Sequence, residues 1–407
     1  MSPRADRRRV VLVAAVLAAA AVALLIVRER WWFPIGYRLT GNEISNAGLA
    51  VQLAALVAGV ALLHRVRGPA VPWVLIAEGA ACLLAHGAAG VAFALALLAW
   101  WSAMNAAWLG RGRAVVAVVL VAAVNACAWS TDEVASAALL FSMMFGMRLI
   151  VFAYDRWQHD FERVPLRDFL VFVLPAPLVI LPPYFAIIPM FGGFADRVRP
   201  DLSAARLRAC GRHFAWAALF GALRGAMGLA GLGADDLVPP AWACWKFVAN
   251  VLDVATLAHV LIPLLLLHGI EERLPLLRPL FATRIVQFWQ RFGVHQKDAQ
   301  VFLFYTPALL RLRRGNRYLA IVLATIWTLV VGNTLLHLAI RTCFLPDTWD
   351  RLGWALAANA VMGAALAADL CYEEWWSRRG ARPPRTVPRL AIGWVLTMTV
   401  AVVTGVL

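Results

Sequence analysis

Residues 241–269 read AWACWKFVANVLDVATLAHVLIPLLLLHG, a stretch in which Lys246 and Asp253 are the only Lys, Arg, Asp or Glu. As a helix it is about 44 Å long at 1.5 Å per residue, more than the hydrocarbon core of about 30 Å. Its apolar residues run continuously instead of following one helical stripe, as expected of a segment surrounded by lipid or protein. Working outward, comparable runs occur at 10–27, 46–63, 70–87, 90–109, 114–130, 134–153, 213–233, 318–340, 353–371 and 390–407. The chain is 62% hydrophobic, and the period-two alternation of a membrane β-barrel is absent. An all-α polytopic integral membrane protein with about eleven transmembrane helices is therefore expected. Its 407 residues leave no room for a separate soluble domain, so 1–407 reads as one integral membrane domain.

The basic start (Arg4, Arg7, Arg8, Arg9) followed by Val10 to Val27 resembles a signal peptide, but the apolar run is too long and Arg28-Glu-Arg-Trp-Trp offers no small-residue cleavage site. It is expected to stay as the first span. A net charge of +15 would suggest nucleic acid in a soluble protein. Here the arginines lie in short loops between apolar runs, as topology signals facing an anionic leaflet, and no nucleic-acid partner is expected. Arg65/Arg67, Arg111/Arg113 and Arg156/Arg163/Arg167 share one side with the N-terminus, which places it in the cytoplasm. Paired tryptophans at Trp31-Trp32, Trp100-Trp101 and Trp375-Trp376 fall at span ends, as interfacial anchors do. After eleven crossings of an inner (plasma) membrane the C-terminus ends outside.

Asp168 to Met190 is apolar but interrupted by Pro175, Pro177, Pro182, Pro183 and Pro189, which predicts a re-entrant or broken segment. Glu271 to Arg317 carries nine Lys and Arg residues and is expected to be cytoplasmic, with pieces in the membrane interface. Gly221, Gly225, Gly228 and Gly231 fall at helical spacing, as on a close-packing face. Six scattered cysteines signal neither a disulfide framework nor a zinc site, and no metal is expected. No internal repeat is visible, which weighs against transporters built from inverted repeats.

Ionisable residues inside apolar helices carry the functional question. His64, His159, His213, His268 and His295 fall at span ends or in loops, where a hydrated imidazole needs no explanation, and His86 closes a span. His259 and His337 lie well within apolar context. Asn333 is one turn before His337, where its amide could fix the ring tautomer or contact a substrate. Asn250 and Asp253 share a face, with His259 about 120° away, and read more readily as a packing network than as a proton relay. No G-x-S-x-G elbow, H-E-x-x-H helix or Walker loop occurs, so serine-triad, zinc and ATPase chemistry lack their signature residues.

Phe288-Trp-Gln-Arg-Phe292, then Tyr305-Thr-Pro307, then Gly315-Asn-Arg317 leading into a helix with His337, resembles the core of the membrane-bound O-acyltransferase family. Upstream, Phe141-Ser-Met-Met-Phe-Gly-Met-Arg148, Tyr154-Asp155, Asp168-Phe169 and Pro182-Pro-Tyr-Phe-Ala-Ile-Ile-Pro-Met190 follow in the same order. The resemblance implies N-terminal helices over 1–138, a family-like core over 139–340 and C-terminal helices over 341–407. It also puts His337 at the family's catalytic histidine. Two features depart from the pattern: Asn333-Thr-Leu-Leu-His337 replaces a W-H-G element, and Gly293 stands where relatives have a second His or an Asn. His295 could fill that second role.

The implied reaction moves an acyl group from a thioester, acyl-CoA or an acyl carrier protein, to a hydroxyl on a polysaccharide, lipid or small alcohol. His337 would be the general base, with Asn333, His295 or Tyr305 orienting its ring or stabilising the oxyanion. Trp289, Arg291, Tyr305 and Asp253 are substrate-binding candidates, and the thioester is a substrate, with no bound cofactor. The basic segment from Arg273 to Arg317 meets the donor's phosphates or serves only as a topology signal. The rival readings are a wax-ester-type synthase using a long-chain alcohol, and a non-catalytic transporter or flippase with Asp253, His259 and His337 along its path.

Overall fold

In the computed structural model, residues 46–113, 146–159, 162–180, 194, 198–201, 203–229, 239–274, 278–334, 352–381 and 386–406 are described. The expected spans at 10–27 and 114–130, the start of that at 134–153, and His337 lie outside these residues. The described residues form α-helices with short 3₁₀ and π segments, and no β-strand occurs among them. In chain order the helices are α1 (Asn46–Leu63), α2 (Ala70–Leu84), α3 (Ala88–Asn105), α4 (Gly146–Gln158), α5 (Leu166–Val173), α6 (Ala176–Ile180) and α7 (Ala204–Leu229). They continue with α8 (Pro239–Leu267), α9 (Ile285–Arg291), α10 (Val294–Gln300), α11 (Thr306–Leu312), α12 (Arg317–Ile326), α13 (Leu352–Ser377) and α14 (Val387–Val406).

Among the described residues two helical stretches, Ala241–Leu267 and Gly353–Ser377, are long and apolar enough to cross a membrane. Shorter apolar helices cover Ala50–Leu63, Ala70–Leu84, Phe93–Asn105, Arg317–Asn333 and Val387–Val403. Large apolar side chains stand exposed along α14, among them Ile392, Val395 and Leu396. Such a surface is costly in water and suits a lipid environment.

The chain divides into two compact units, Met1–Leu219 with Thr256–Arg273, and Phe220–Ala255 with Leu274–Leu407. The division cuts through α7 and α8, and the stretch 139–340 expected to form a core is shared between the units.

In the first unit α2 packs against α1, α3, α5 and α6. Gly79 permits the closest approach, since a Cβ there would lie 1.7 Å from the Leu174 carbonyl oxygen. The proline-rich stretch is broken as its sequence predicts, with α5 ending at Val173 and α6 starting at Ala176. Pro177 has no N–H to give the Val173 carbonyl its helical partner. The fully buried Arg148 supplies one instead, its Nη1 donating at 2.9 Å. Asn105 Oδ1 accepts from the Val164 N–H while Trp101 Nε1 donates to the Val164 carbonyl, both at 2.9 Å, fixing the chain that leads into α5.

In the second unit a core of Phe247, Val251, Ile285, Phe288, Leu329, Met362 and Leu366 joins α8, α9, the stretch after α12, and α13. α12 opens on Asn316, whose side chain accepts from the N–H groups of Tyr318 and Leu319. Gly315-Asn-Arg317 is thus a helix start with a physical function, capping two otherwise unpaired donors.

Candidate functional site

Two π-helical segments face each other in the second unit. The first, Val301–Tyr305, joins α10 to α11, and the second, Trp327–Asn333, continues α12. Pro307 follows the first, and its ring would crowd the carbonyl four residues back in an ordinary α-helix, an obstacle that a widened turn relieves. Gly332 lies inside the second, under the Phe304 ring, where a Cβ would come within 2.7 Å of Phe304 Cγ. π segments of this kind recur at functional sites because they redirect side chains.

The meeting point is filled by side-chain amides. Asn333 Oδ1 accepts from Gln296 Nε2 at 3.1 Å and from Gln300 Nε2, so both of its acceptor directions are taken. Asn333 Nδ2 donates to Asn359 Oδ1 at 2.8 Å, and Asn359 Nδ2 donates to Thr334 Oγ1 at 2.8 Å. Gln300, Asn333 and Thr334 are buried. Among the described residues Gln300 Oε1 has no partner, although Gln300 is 0% exposed. A buried, unpaired acceptor costs about 1–3 kcal/mol, so an orphan here calls for a ligand or a role.

Of the sequence candidates, Asn333 sits at the centre of this network, with its amide committed to α10 and α13. His295 is 5% exposed and so is not the hydrated loop histidine expected; it belongs to the buried side of α10. Helical geometry turns it about 100° away from Gln296. Tyr305 interacts electrostatically with Cys371 and Arg317, and burial raises its phenol above the usual value, leaving it a neutral hydroxyl. No hydrogen bond joins Tyr305 to Asn333 among the described residues, although the neighbouring Phe304 ring packs on Gly332. Trp289 packs against the core of the second unit, and Arg291 donates from Nη1 to the Phe281 carbonyl at 3.0 Å. Gln296, Gln300 and Asn359 were missed. Glutamines one helical turn apart on an otherwise polar segment carry no distinguishing signal in a single sequence, whereas an Asn within the apolar run 353–371 is a signal that could have pointed to Asn359.

Asp253 pairs with Arg224, whose Nε lies 3.2 Å from Oδ1, and the guanidinium lies 5.4 Å from the centre of the Trp245 ring. Arg224, the one charged residue in the apolar stretch 214–229 that ends α7, was the overlooked half of this pair. Asp253→Leu is expected to lower stability by about 1–3 kcal/mol, below the about 3–5 kcal/mol of a fully buried pair because both side chains keep some exposure. Adding Arg224→Met should restore most of the loss. Thermal unfolding in detergent measures both, and an Asp253→Asn protein that is fully stable yet inactive would reinstate a catalytic or relay role.

His259 does not join Asp253. In the first unit its Nδ1 lies 3.0 Å from Nδ1 of His213, beside the Trp216 ring. His268, expected to be hydrated at a helix end, is 0% exposed and bonded to Glu78. The close-packing expectation fails at Gly225, where a Cβ would meet no described atom within 4 Å. No group of three or more His, Cys, Asp or Glu placed to hold a metal ion occurs among the described residues. No family model matches the chain, and no curated protein matches it.

Proposed function

We propose that the chain is a multi-pass inner-membrane O-acyltransferase, of the family its sequence resembles, in which His337 is the general base. The observation that carries this reading is the buried amide network gripping Asn333 and Thr334, the residues that lead directly to His337. A base must be held to well under an ångström to be effective, and a network tying three helical segments together provides that rigidity. The imidazole removes the proton of an acceptor hydroxyl, the oxygen attacks the thioester carbonyl, and the carbon–sulfur bond breaks. The departing thiolate then takes the proton back from the imidazolium. The orphan Gln300 Oε1 is an acceptor suited to a substrate hydroxyl.

In the basic segment, Arg284, Arg291, Lys297 and Arg317 already have protein partners. Arg311, Arg313 and Arg314 are exposed and their side chains form no ion pair among the described residues. With Arg278, which is likewise exposed, they are groups left for phosphates of acyl-CoA or an acyl carrier protein. The direct test is release of free thiol from either donor by the purified protein in the presence of hydroxyl acceptors. Ester formation supports the reading, and absence of thioester consumption across both donors and all three acceptor classes removes it.

The reading includes eleven crossings with the N-terminus cytoplasmic and the C-terminus outside. From the cluster Arg311 to Arg317 the following span then exits near Arg341, which puts Cys343 outside. With the other cysteines replaced, a membrane-impermeant maleimide should label Cys343 on intact cells. Labelling only after lysis reverses the orientation.

A further inference from the structure

Glu78 of α2 and His268, just beyond α8, form an ion pair in the first unit with side chains 1% and 0% exposed. His268 Nε2 lies 2.7 Å from Glu78 Oε1, and its Nδ1 lies 2.5 Å from the Leu264 carbonyl oxygen. The carbonyl can only accept, so Nδ1 carries a proton. A second proton must lie between Nε2 and Oε1, on one or the other, because two bare lone pairs would repel there. The pair therefore holds one transferable proton and is neutral overall when loaded.

The other carboxyl oxygen is not tied down. Among the described residues Glu78 Oε2 has no hydrogen-bond partner, and it rests against Gly59 of α1, where a Cβ would lie 2.2 Å from it. A purely structural ion pair in an apolar interior is expected to use all its polar atoms. On this side the carboxylate is packed directly on a glycine's bare backbone, with no donor to hold its charge when the proton departs.

Polar groups flank the pair along α2. Near its N-terminus a cavity of about 450 Å³ is lined by Arg67, Gly68, Val71, Leu75, Val198 and Pro200, among others. Leu75, 1% exposed, separates it from Glu78 by about one helical turn. Toward the other end, the buried Gln52 donates from Nε2 to the Cys82 carbonyl at 3.0 Å and lies 3.1 Å from His86 Nε2. The carbonyl fixes the amide's orientation, so His86 Nε2 is an unprotonated acceptor. Glu78, Cys82 and His86 fall on one face at four-residue spacing.

We propose that Glu78 and His268 are the centre of a proton-transfer path along α2, from the cavity at Arg67 to His86. The loaded pair gives its proton toward one end and a proton from the other end reloads it, so one proton enters for each that leaves. The path lies in a different unit from the amide network and does not depend on acyl transfer; it does rest on α2 crossing the membrane.

The test uses the full-length protein in phosphatidylcholine and phosphatidylglycerol vesicles containing a pH-sensitive dye, with a potassium gradient and valinomycin driving protons inward. Co-flotation with the vesicles checks insertion separately. Wild type should acidify the lumen faster than empty vesicles do. Glu78→Gln should slow the protein-dependent flux by about 10²-fold or to the empty-vesicle background, the scale of a lost positioned proton-transfer group. Leu75→Ala, which opens the cavity toward Glu78, should raise it several-fold. Wild-type flux equal to that of empty vesicles overturns the proposal, as does an inserted Glu78→Gln protein as fast as wild type. Should Glu78→Gln fail to insert, an unchanged rate in Leu75→Ala overturns it.

Discussion

His337→Ala is expected to leave the protein inserted and monodisperse while reducing acyl transfer by about 10²-fold or more, the scale of lost general-base catalysis. Asn333→Ala should behave differently. It removes the acceptor shared by Gln296 and Gln300 and the donor held by Asn359, stranding the buried Gln300 amide at about 1–3 kcal/mol and the half-buried Gln296 and Asn359 amides at less. Activity and thermal stability should fall together there, whereas His337→Ala should lower activity alone. His295→Ala should cost clearly less turnover than His337→Ala. Because His295 is buried, its loss should register chiefly in the unfolding temperature. Near-normal turnover by folded His337→Ala would falsify the assignment of the base. Equal catalytic losses at both histidines would restore His295 as a second catalytic residue.

Helix positions were largely legible in the sequence because long apolar runs leave a segment few alternatives. The runs at 46–63, 70–87, 90–109, 241–269, 353–371 and 390–407 all correspond to helices. The break near Pro175 was legible for the same reason, since a missing N–H has a fixed local consequence. What the apolar pattern could not give is which polar side chains meet. Asp253 and His259 lie near each other in sequence, but Asp253 turns to Arg224 and His259 to His213, partners supplied by another helix. His268 stands at a helix end and is nevertheless 0% exposed, because hydration there depends on what closes over the end and not on position along the helix. Gly59 and Gly269 let other chain segments close over that region: a Cβ at Gly269 would lie 2.3 Å from the Pro200 nitrogen. The π turn at Trp327–Asn333 also left no single-sequence signature beyond Gly332, and the Phe304 ring that packs on that glycine comes from another segment.

Arg284→Met is expected to be the most destabilising single change in the second unit. Arg284 Nε donates to Asp369 Oδ1 at 2.9 Å, Nη1 donates to Glu373 Oε1 at 2.6 Å, and Nη2 reaches both Asp369 Oδ1 and its backbone carbonyl. Asp369 Oδ2 in turn accepts from the Val286 N–H at 3.0 Å. That N–H belongs to the first turn of α9, where an amide has no partner within the helix and the dipole favours an anion. One carboxylate on α13 therefore neutralises the arginine and caps the helix beginning beside it. Removing the guanidinium leaves Asp369 and Glu373, one helical turn apart, facing each other without a counter-charge. Arg284 is 21% and Asp369 16% exposed, so the loss is discounted from that of a fully buried pair, but several hydrogen bonds go at once and about 2–4 kcal/mol is expected. Asp369→Leu should cost a similar amount, because it strands the Val286 N–H and leaves Arg284 only Glu373. The double variant should be less destabilised than the sum of the two, by about 1–3 kcal/mol of coupling. Unfolding midpoints of the four proteins in one detergent measure this. Strict additivity would mean that α9 is held by the apolar contacts of Ile285, Val286 and Phe288 alone.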